Sequence, residues 1–243
     1  TKVMDPKMEA PSKTSCNEFV KGDLMDYQDV FKFGKSVDIL TIEIENVNTQ
    51  ALSDLEKEGI KVFPQSKIIK TIQNKCSQKK FYKKNKIPTA QFKLFDSKEK
   101  LKDEVARGLV SFPFVWKSKS MGYDGFGVKI VRSNQDLEEV NPGPCLAEEL
   151  VNIDKELGII VCRSPMGETK FYPCVEMEFH PQANQVEYVL SPARISKNIS
   201  KRAEKIALKV SKSFNHVGLL AVELFLTLDG EILVNEVAPR PHN

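Results

Sequence analysis

The stretch VGLLAVELFLTLDGEILVNEVAP, residues 217–239, limits what this chain can fold into more than any other. Two runs of apolar and β-branched residues flank Asp229-Gly230, the strongest short signal for a two-residue type I′ hairpin turn. That turn predicts Leu228 opposite Glu231 and, counting back along both strands, Leu224 opposite Asn235 and Glu223 opposite Glu236. Directly opposed side chains have Cβ atoms roughly 4.5–5.5 Å apart, where like charges repel. Leu224, Phe225, Val234 and Val237 imply partial burial, which makes an uncompensated carboxylate pair costly. A divalent cation removes the conflict. Paired oxygen donors with no Cys or His beside them suit Mg²⁺ held together with phosphate oxygens. The alternatives are a shared proton or one Glu turned to solvent, and a one-residue slip would put the two on opposite faces.

Composition narrows the class. The chain has 243 residues, 41% hydrophobic and 28% charged, with 36 Lys and Arg against 33 Asp and Glu. A net charge of +3 argues against a nucleic-acid or membrane electrostatic footprint. No apolar run approaches membrane-spanning length, and the opening TKVMDPKMEAPSK has no apolar signal core. The five Cys are odd in number and form no CxxC pair, which fits reduced thiols in a cytoplasmic protein. Three scattered His make no zinc site.

Along the chain, Lys2–Met4 reads as a strand end, Val37–Ile44 as a strand, the segment with Leu52 and Leu55 as a helix ending at Gly59, and Ile60–Phe63 as a strand. This β–α–β alternation predicts a parallel sheet. Ser66–Lys86 reads as one Lys-rich helix. Phe112–Lys119, Gly127–Arg132, Cys145–Glu148, Leu157–Arg163 and Lys170–Phe179 read as strands. Ala203, Ile206, Ala207, Val210 and Phe214 form a helical stripe, with Lys201, Arg202, Lys205, Lys209 and Lys212 mainly on the solvated side. The expectation is a parallel α/β domain over 1–78, then a larger α+β domain with antiparallel sheets over 79–243.

Chemistry concentrates at four further places. Lys117 ends the apolar strand FPFVWKSKS and is either an edge-strand surface residue or a fixed cation for phosphates. Gly122-Tyr123-Asp124-Gly125-Phe126-Gly127 follows, with glycines spaced to let backbone N–H groups approach an anion. The setting is strand–loop–strand, so it is either a flap over a triphosphate or a hairpin tip that needs positive φ. Glu148-Glu149-Leu150-Val151 closes a strand ahead of Glu156; it suits an adenine edge and a ribose, or is plain solvent-exposed acid. Two Pro stiffen the chain around Arg240, which could hold a small oxyanion or sit in a linker.

Seven segments in order, among them DILTIEIENVN (38–48), QNKCSQKKFYKKNKIPTA (73–90), PFVWKSKSMGYDGFGVKIV (113–131) and ILVNEVAPRPHN (232–243), resemble the ATP-grasp superfamily. Within it the pattern is similar to the 5-(carboxyamino)imidazole ribonucleotide synthetases of purine synthesis. The resemblance covers essentially the whole chain, and APRPHN with GYDG is its most specific part. It implies a pre-ATP-grasp domain followed by an ATP-grasp domain. It also implies that ATP, bicarbonate and 5-aminoimidazole ribonucleotide are converted through carboxyphosphate to the N-carboxylated product, ADP and phosphate, in a cytoplasmic enzyme that is often a homodimer. Lys75 and Lys117 would contact the nucleotide, residues Gly122 to Val128 would form the flap, and Glu148, Glu149, Leu150 and Val151 would line the adenine pocket with Glu156 on the ribose. Asn235 and Glu236 belong to an ATP-contact motif, Glu223 and Glu236 would hold Mg²⁺, Tyr123 and Asp124 would lie near the aminoimidazole, and Arg240 near the bicarbonate-derived group.

The chain departs from the family at Phe126, where Arg or Lys is common, and at Glu176, where some members carry a nucleotide-contacting His. Ala238 stands where many other ATP-grasp enzymes have a third metal ligand, as in this branch. Family members also begin before Thr1 and continue past Asn243, so truncation at both ends is expected. A formate-using transformylase, a biotin carboxylase type and a non-catalytic ATP-binding module are the other readings.

Overall fold

The computed structural model describes residues 1–119, 127–179 and 186–241. At the start, strand β1 (Lys2–Asp5) pairs in parallel with β2 (Glu18–Lys21). Helix α1 (Tyr27–Gly34) follows, and β3 (Ile39–Thr41) connects through α2 (Thr49–Lys57) to its parallel neighbour β4 (Lys61–Phe63). Parallel neighbours need a crossover, and α2 supplies it. Asp26 and Asn48 start the two helices by accepting the N–H groups of Asp29 and Ala51. Val30, Leu40, Leu52, Leu55 and Val62 form the core of this part. The strand expected over 37–44 is confined to Ile39–Thr41.

The Lys-rich stretch is two helices rather than one: α3 (Ser66–Ile72) and α4 (Lys75–Lys84). Polar side chains make the break. Asn74 Oδ1 accepts the Ser77 N–H as an N-cap, and Gln73 Nε2 donates to the carbonyls of Glu45 and Val47 at 2.7 and 2.8 Å. Asn offers the backbone this alternative readily, so it favours a cap over a helix interior. The new start seats Lys75 in the first turn, its N–H donating to Lys119 O at 2.9 Å.

A four-stranded antiparallel sheet comes next. It contains β5 (Phe92–Phe95), then α5 (Lys98–Ala106), β6 (Phe114–Ser118), β7 (Val128–Val131), α6 (Asn134–Glu139) and β8 (Cys145–Glu149), in strand order β5-β8-β6-β7. Phe114, Trp116, Cys145 and Ala147 pack with Leu101 of α5 and Leu137 of α6. Side chains alternate along a strand, so Lys117 and Glu148 share the opposite face with Val115 and Leu146.

The larger sheet holds β9 (Ile153–Arg163), β10 (Thr169–Phe171), β11 (Val175–Phe179) and β12 (Val186–Leu190), then, after α7 (Lys197–Phe214), β13 (Gly218–Thr227) and β14 (Ile232–Ala238). Its order is β12-β11-β9-β13-β14, with β10 on β9. The single strand expected over 170–179 is divided at 172–174, where Pro173 has no N–H for a ladder. Helix α7 runs from its Ser196 cap to Asn215 at φ +51° and covers one face. Ala203, Ala207 and Val210 are fully buried there among Leu157, Ile159, Val161, Leu220 and Val222, while Lys201, Lys205, Lys209 and Lys212 are exposed. The other face of the sheet carries Glu156, Gly158 and Glu223 and looks away from α7.

The closing hairpin differs from its expected register. Leu226 pairs with Ile232 and Leu224 with Val234, one residue off the type I′ prediction. Leu228-Asp229-Gly230 is a three-residue loop: Thr227 N–H donates to Glu231 O and Gly230 N–H to Thr227 O, both at 2.9 Å, with Gly230 at φ +80°. The Leu228 N–H is taken by Asn152 O at 3.0 Å, so it cannot pair with Glu231. A bulge then restores the count. Val222 pairs with Val237, so Asn235 and Glu236 together oppose Glu223.

Candidate active site

The α7-free face of the large sheet, the Lys117 face of the small sheet and the start of α4 meet in a charged cluster. Lys117 Nζ spans the two sheets, 2.7 Å from Glu148 Oε2 on β8 and 2.9 Å from Asn235 Oδ1 on β14. Asn235 Nδ2 reaches Glu223 Oε2 at 3.3 Å. Lys79 Nζ lies 2.5 Å from Glu148 Oε1 and donates to Thr89 Oγ1 at 2.6 Å. Lys75 forms an ion pair with Glu236. Lys79, Lys117, Glu148 and Glu223 are all buried.

Burial and charge pull these groups in different directions. Burial presses Lys79 down to about 8, against the attraction of Glu148. Burial works equally against the Glu148 carboxylate, yet Lys117 and Lys79 together hold it below the usual range. Burial opposes the charge on Lys75 too, and Glu236, with smaller help from Glu223 and Glu148, keeps it above its ordinary value. Glu156 is pushed up to about 7, first by burial and then by Glu223. The two bulge-facing carboxylates thus act on the same ammonium group of Lys75.

The structure brings together Lys75, Lys117, Glu148, Glu156, Glu223, Asn235 and Glu236. The Glu148 side chain is fully engaged by two lysines, so any contact from this strand end to a base comes from the backbone of Glu149, Leu150 and Val151. Glu149 already spends its N–H on Gln91 O at 2.9 Å. Gly127, at φ +77°, precedes β7, which Val128 opens opposite Lys117. Gly122, Tyr123, Asp124, Gly125 and Phe126 lie outside the described residues. Arg240 is half-buried, and its Nε donates to Glu45 Oε2 at 2.8 Å, tying the end of the chain to the loop after β3. Glu176 falls on the α7 side of the sheet, opposite Leu157, where Lys155 and Arg194 neutralise it. The departure at position 176 is therefore remote from this face.

Sequence reasoning missed Lys79, Thr89 and Glu45. Lys79 follows Lys75 by one helical turn, a spacing that puts both on one face, but it is lost among the other lysines of the stretch. No local signal marks Thr89 or Glu45 as neighbours of residues more than a hundred positions away.

The donor set fits a hard divalent ion. Glu223 and Glu236 provide carboxylate oxygens at a bulge. Among the described residues no group of three or more His, Cys, Asp or Glu could hold a metal alone, so an ion here would have to share its shell with ligand oxygens.

Residues 80–243 match the ATP-grasp domain family, and residues 1–73 the ribonucleotide synthetase preATP-grasp domain. A phosphoribosylaminoimidazole carboxylase of Ogataea methanolica is 35% identical over 100% of this chain and 46% of its own length. The crystal structure of N5-carboxyaminoimidazole ribonucleotide synthetase from Thermotoga maritima superposes with a TM-score of 0.87 at 37% identity, covering 100% of this chain and 62% of that one. That of N5-carboxyaminoimidazole synthase from Aspergillus clavatus, in complex with ADP and 5-aminoimidazole ribonucleotide, gives 0.88 at 30%, covering 100% and 64%. The chain thus spans about half to two thirds of the relatives it resembles. Parallel strands lead into two antiparallel sheets that face each other across a lysine–carboxylate cluster, and the sequence match extends over most of that architecture: this chain belongs to the ATP-grasp family.

Proposed function

We propose that the protein carrying this chain uses ATP to carboxylate 5-aminoimidazole ribonucleotide with bicarbonate, giving 5-(carboxyamino)imidazole ribonucleotide, ADP and phosphate in cytoplasmic purine synthesis. The observation that carries this reading is the convergence of Lys75, Lys117, Asn235, Glu223 and Glu236 between the two sheets, in a chain whose relatives bear the names of that reaction. Nucleotide phosphates would lie against Lys117 and Lys75, beneath the loop that ends at Gly127. Adenine would meet the backbone of Glu149 to Val151, and the ribose would meet Glu156. Glu223 and Glu236 would hold Mg²⁺ with the phosphates; a bound magnesium ion supplies charge neutralisation for the triphosphate.

The side chains account for the remaining chemistry. Phosphoryl transfer is mostly positioning and electrostatics, and the two lysines lower the repulsion an anionic bicarbonate oxygen meets at the γ-phosphorus. Attack there forms a new P–O bond and releases ADP, leaving carboxyphosphate. Arg240, its Nε held by Glu45 and its Nη1 donating to Pro241 O, would lie beside that small oxyanion. Carboxyphosphate is short-lived in water, so the loop at 122–127 would have to exclude solvent until the substrate amine takes the carboxyl group. Asp124 and Tyr123 would orient that amine.

The test is ADP production that requires both bicarbonate and the aminoimidazole ribonucleotide, with formate and biotin as competing acceptors. Glu223→Gln and Glu236→Gln should each abolish turnover while circular dichroism stays unchanged. Turnover near wild type in both variants would reject the metal assignment, and formate-dependent ADP release would reassign the acid.

A further inference from the structure

Hydrogen bonds and ion pairs in the cluster close into a ring. Thr89 Oγ1 donates to Val234 O at 2.7 Å and accepts from Lys79 Nζ at 2.6 Å. Lys79 Nζ is 2.5 Å from one oxygen of Glu148, and Lys117 Nζ is 2.7 Å from the other. Lys117 then donates to Asn235, the neighbour of Val234 and the first residue of the bulge. The ring starts and ends on β14, passing through α4 and the small sheet on the way. Its members hold two ammonium groups and one carboxylate, so it carries a single net positive charge in a buried setting. If Lys117 and Glu148 were alone, they would cancel.

We propose that Lys79 is a positioning residue for the nucleotide: it neutralises Glu148, so that Lys117 keeps its net positive charge for the ligand phosphates while Glu148 fixes its place. The proposal rests on the reading of Lys117 as a phosphate contact. Lys79 itself is screened from the ligand. Its Nζ is turned to Glu148 and Thr89 and lies 5.7 Å from the Tyr82 ring centroid, and its side chain is 4% exposed. A buried lysine with a carboxylate and a hydroxyl as partners is a satisfied structural group in its own right. The distinctive feature is the shared acid, because each oxygen of Glu148 serves a different ammonium and only one of the two belongs to the ligand-facing β6. At the low effective dielectric of a buried site, one unit of charge near a phosphate alters affinity by about tenfold or more.

The experiment compares the dissociation constants of Mg²⁺-free ADP and of adenosine, by calorimetry on the full chain, for wild type, Lys79→Met, Lys79→Met/Glu148→Gln and Lys117→Met. Lys79→Met should bind ADP about tenfold more weakly with adenosine affinity within about twofold of wild type. The double variant removes one charge of each sign, so its ADP affinity should return to within about threefold of wild type. An unchanged ADP affinity in Lys79→Met, or parallel losses for ADP and adenosine, would overturn the proposal. If Lys79→Met does not fold, the double variant decides: a loss of ADP affinity beyond about tenfold there is also fatal to it. Unchanged ADP binding in Lys117→Met would instead refute the underlying assignment of Lys117.

Discussion

Glu148→Gln isolates the energetics of the central cluster. The substitution keeps shape and hydrogen-bonding atoms but leaves the ammonium groups of Lys79 and Lys117, now 2.5 and 2.7 Å from a carboxylate, without their common counter-ion. Both lysine side chains are less than a tenth exposed, so water cannot take its place. Removing one partner of a buried ion pair costs about 3–5 kcal/mol, which in a protein of this size lowers Tm by roughly 6–20 °C. The structure also fixes how that loss changes with pH. Lys79 has an ordinary value of 10.5 and sits at about 8 when folded. Without Glu148 its main attraction is gone and burial and Lys117 act against Glu236 alone, so the folded variant gives up this proton at a lower pH than folded wild type, which keeps it until about pH 8. The variant therefore gains up to about 1.4 kcal/mol per pH unit on wild type as pH rises toward 8, and above about pH 9 the two run in parallel. Thermal melts at pH 7 and 9, followed by circular dichroism and by fluorescence of the single tryptophan, Trp116, measure both effects. A Tm within about 3 °C of wild type at pH 7, or a deficit that is the same at both pH values, would refute the reasoning.

Three other outcomes follow from separate parts of the molecule. Gly34→Ala should lose about 1–2 kcal/mol in urea unfolding, because its Cβ would lie 2.2 Å from Cδ1 of the fully buried Leu55, and that crowding exceeds any gain in helix propensity. His216 is fully buried, and burial lowers its pKa from 6.5. Its neutral form supports the fold above pH 6.5, and that support is lost as pH falls below 6.5, where the unfolded chain takes up the proton first. His216→Leu should flatten this acid limb by up to about 1.4 kcal/mol per pH unit, read from urea melts at pH 7 and 5.5. Glu45→Gln should lower kcat by about tenfold or more with ADP affinity within about twofold, since it loosens Arg240 without touching the nucleotide; an equal loss in both would place Glu45 in nucleotide binding instead.

Patterns with a local physical basis were legible in the residues. The stripe through Ala203, Ala207 and Val210 is repeated every helical turn and had one solution, α7. The apolar run ending at Lys117 gave β6, and the β–α–β alternation gave the parallel start. Short elements with mixed composition, such as β5 with Lys93 and β12 with Glu187, carry too little periodicity to stand out. The one-helix expectation over 66–86 failed because periodicity counts apolar residues, whereas the break depends on Asn74 and Gln73 finding backbone partners, one of them in a distant loop.

The hairpin shows the same division at the site itself. Alternating apolar residues around Asp229-Gly230 determined that β13 and β14 would pair and that two acids would come close. The register was decided elsewhere: Asn152, just before β9, claimed the Leu228 N–H, the loop lengthened to three residues, and a bulge at Asn235-Glu236 brought the count back to Glu223. Local spacing specifies which strands form and which of their faces are apolar, because those follow from the chain's own period. Which ammonium meets which carboxylate depends on α4, β6, β8 and β14 arriving together from as far as 161 positions apart. Burial then gives those contacts their strength, and burial exists only in the assembled fold.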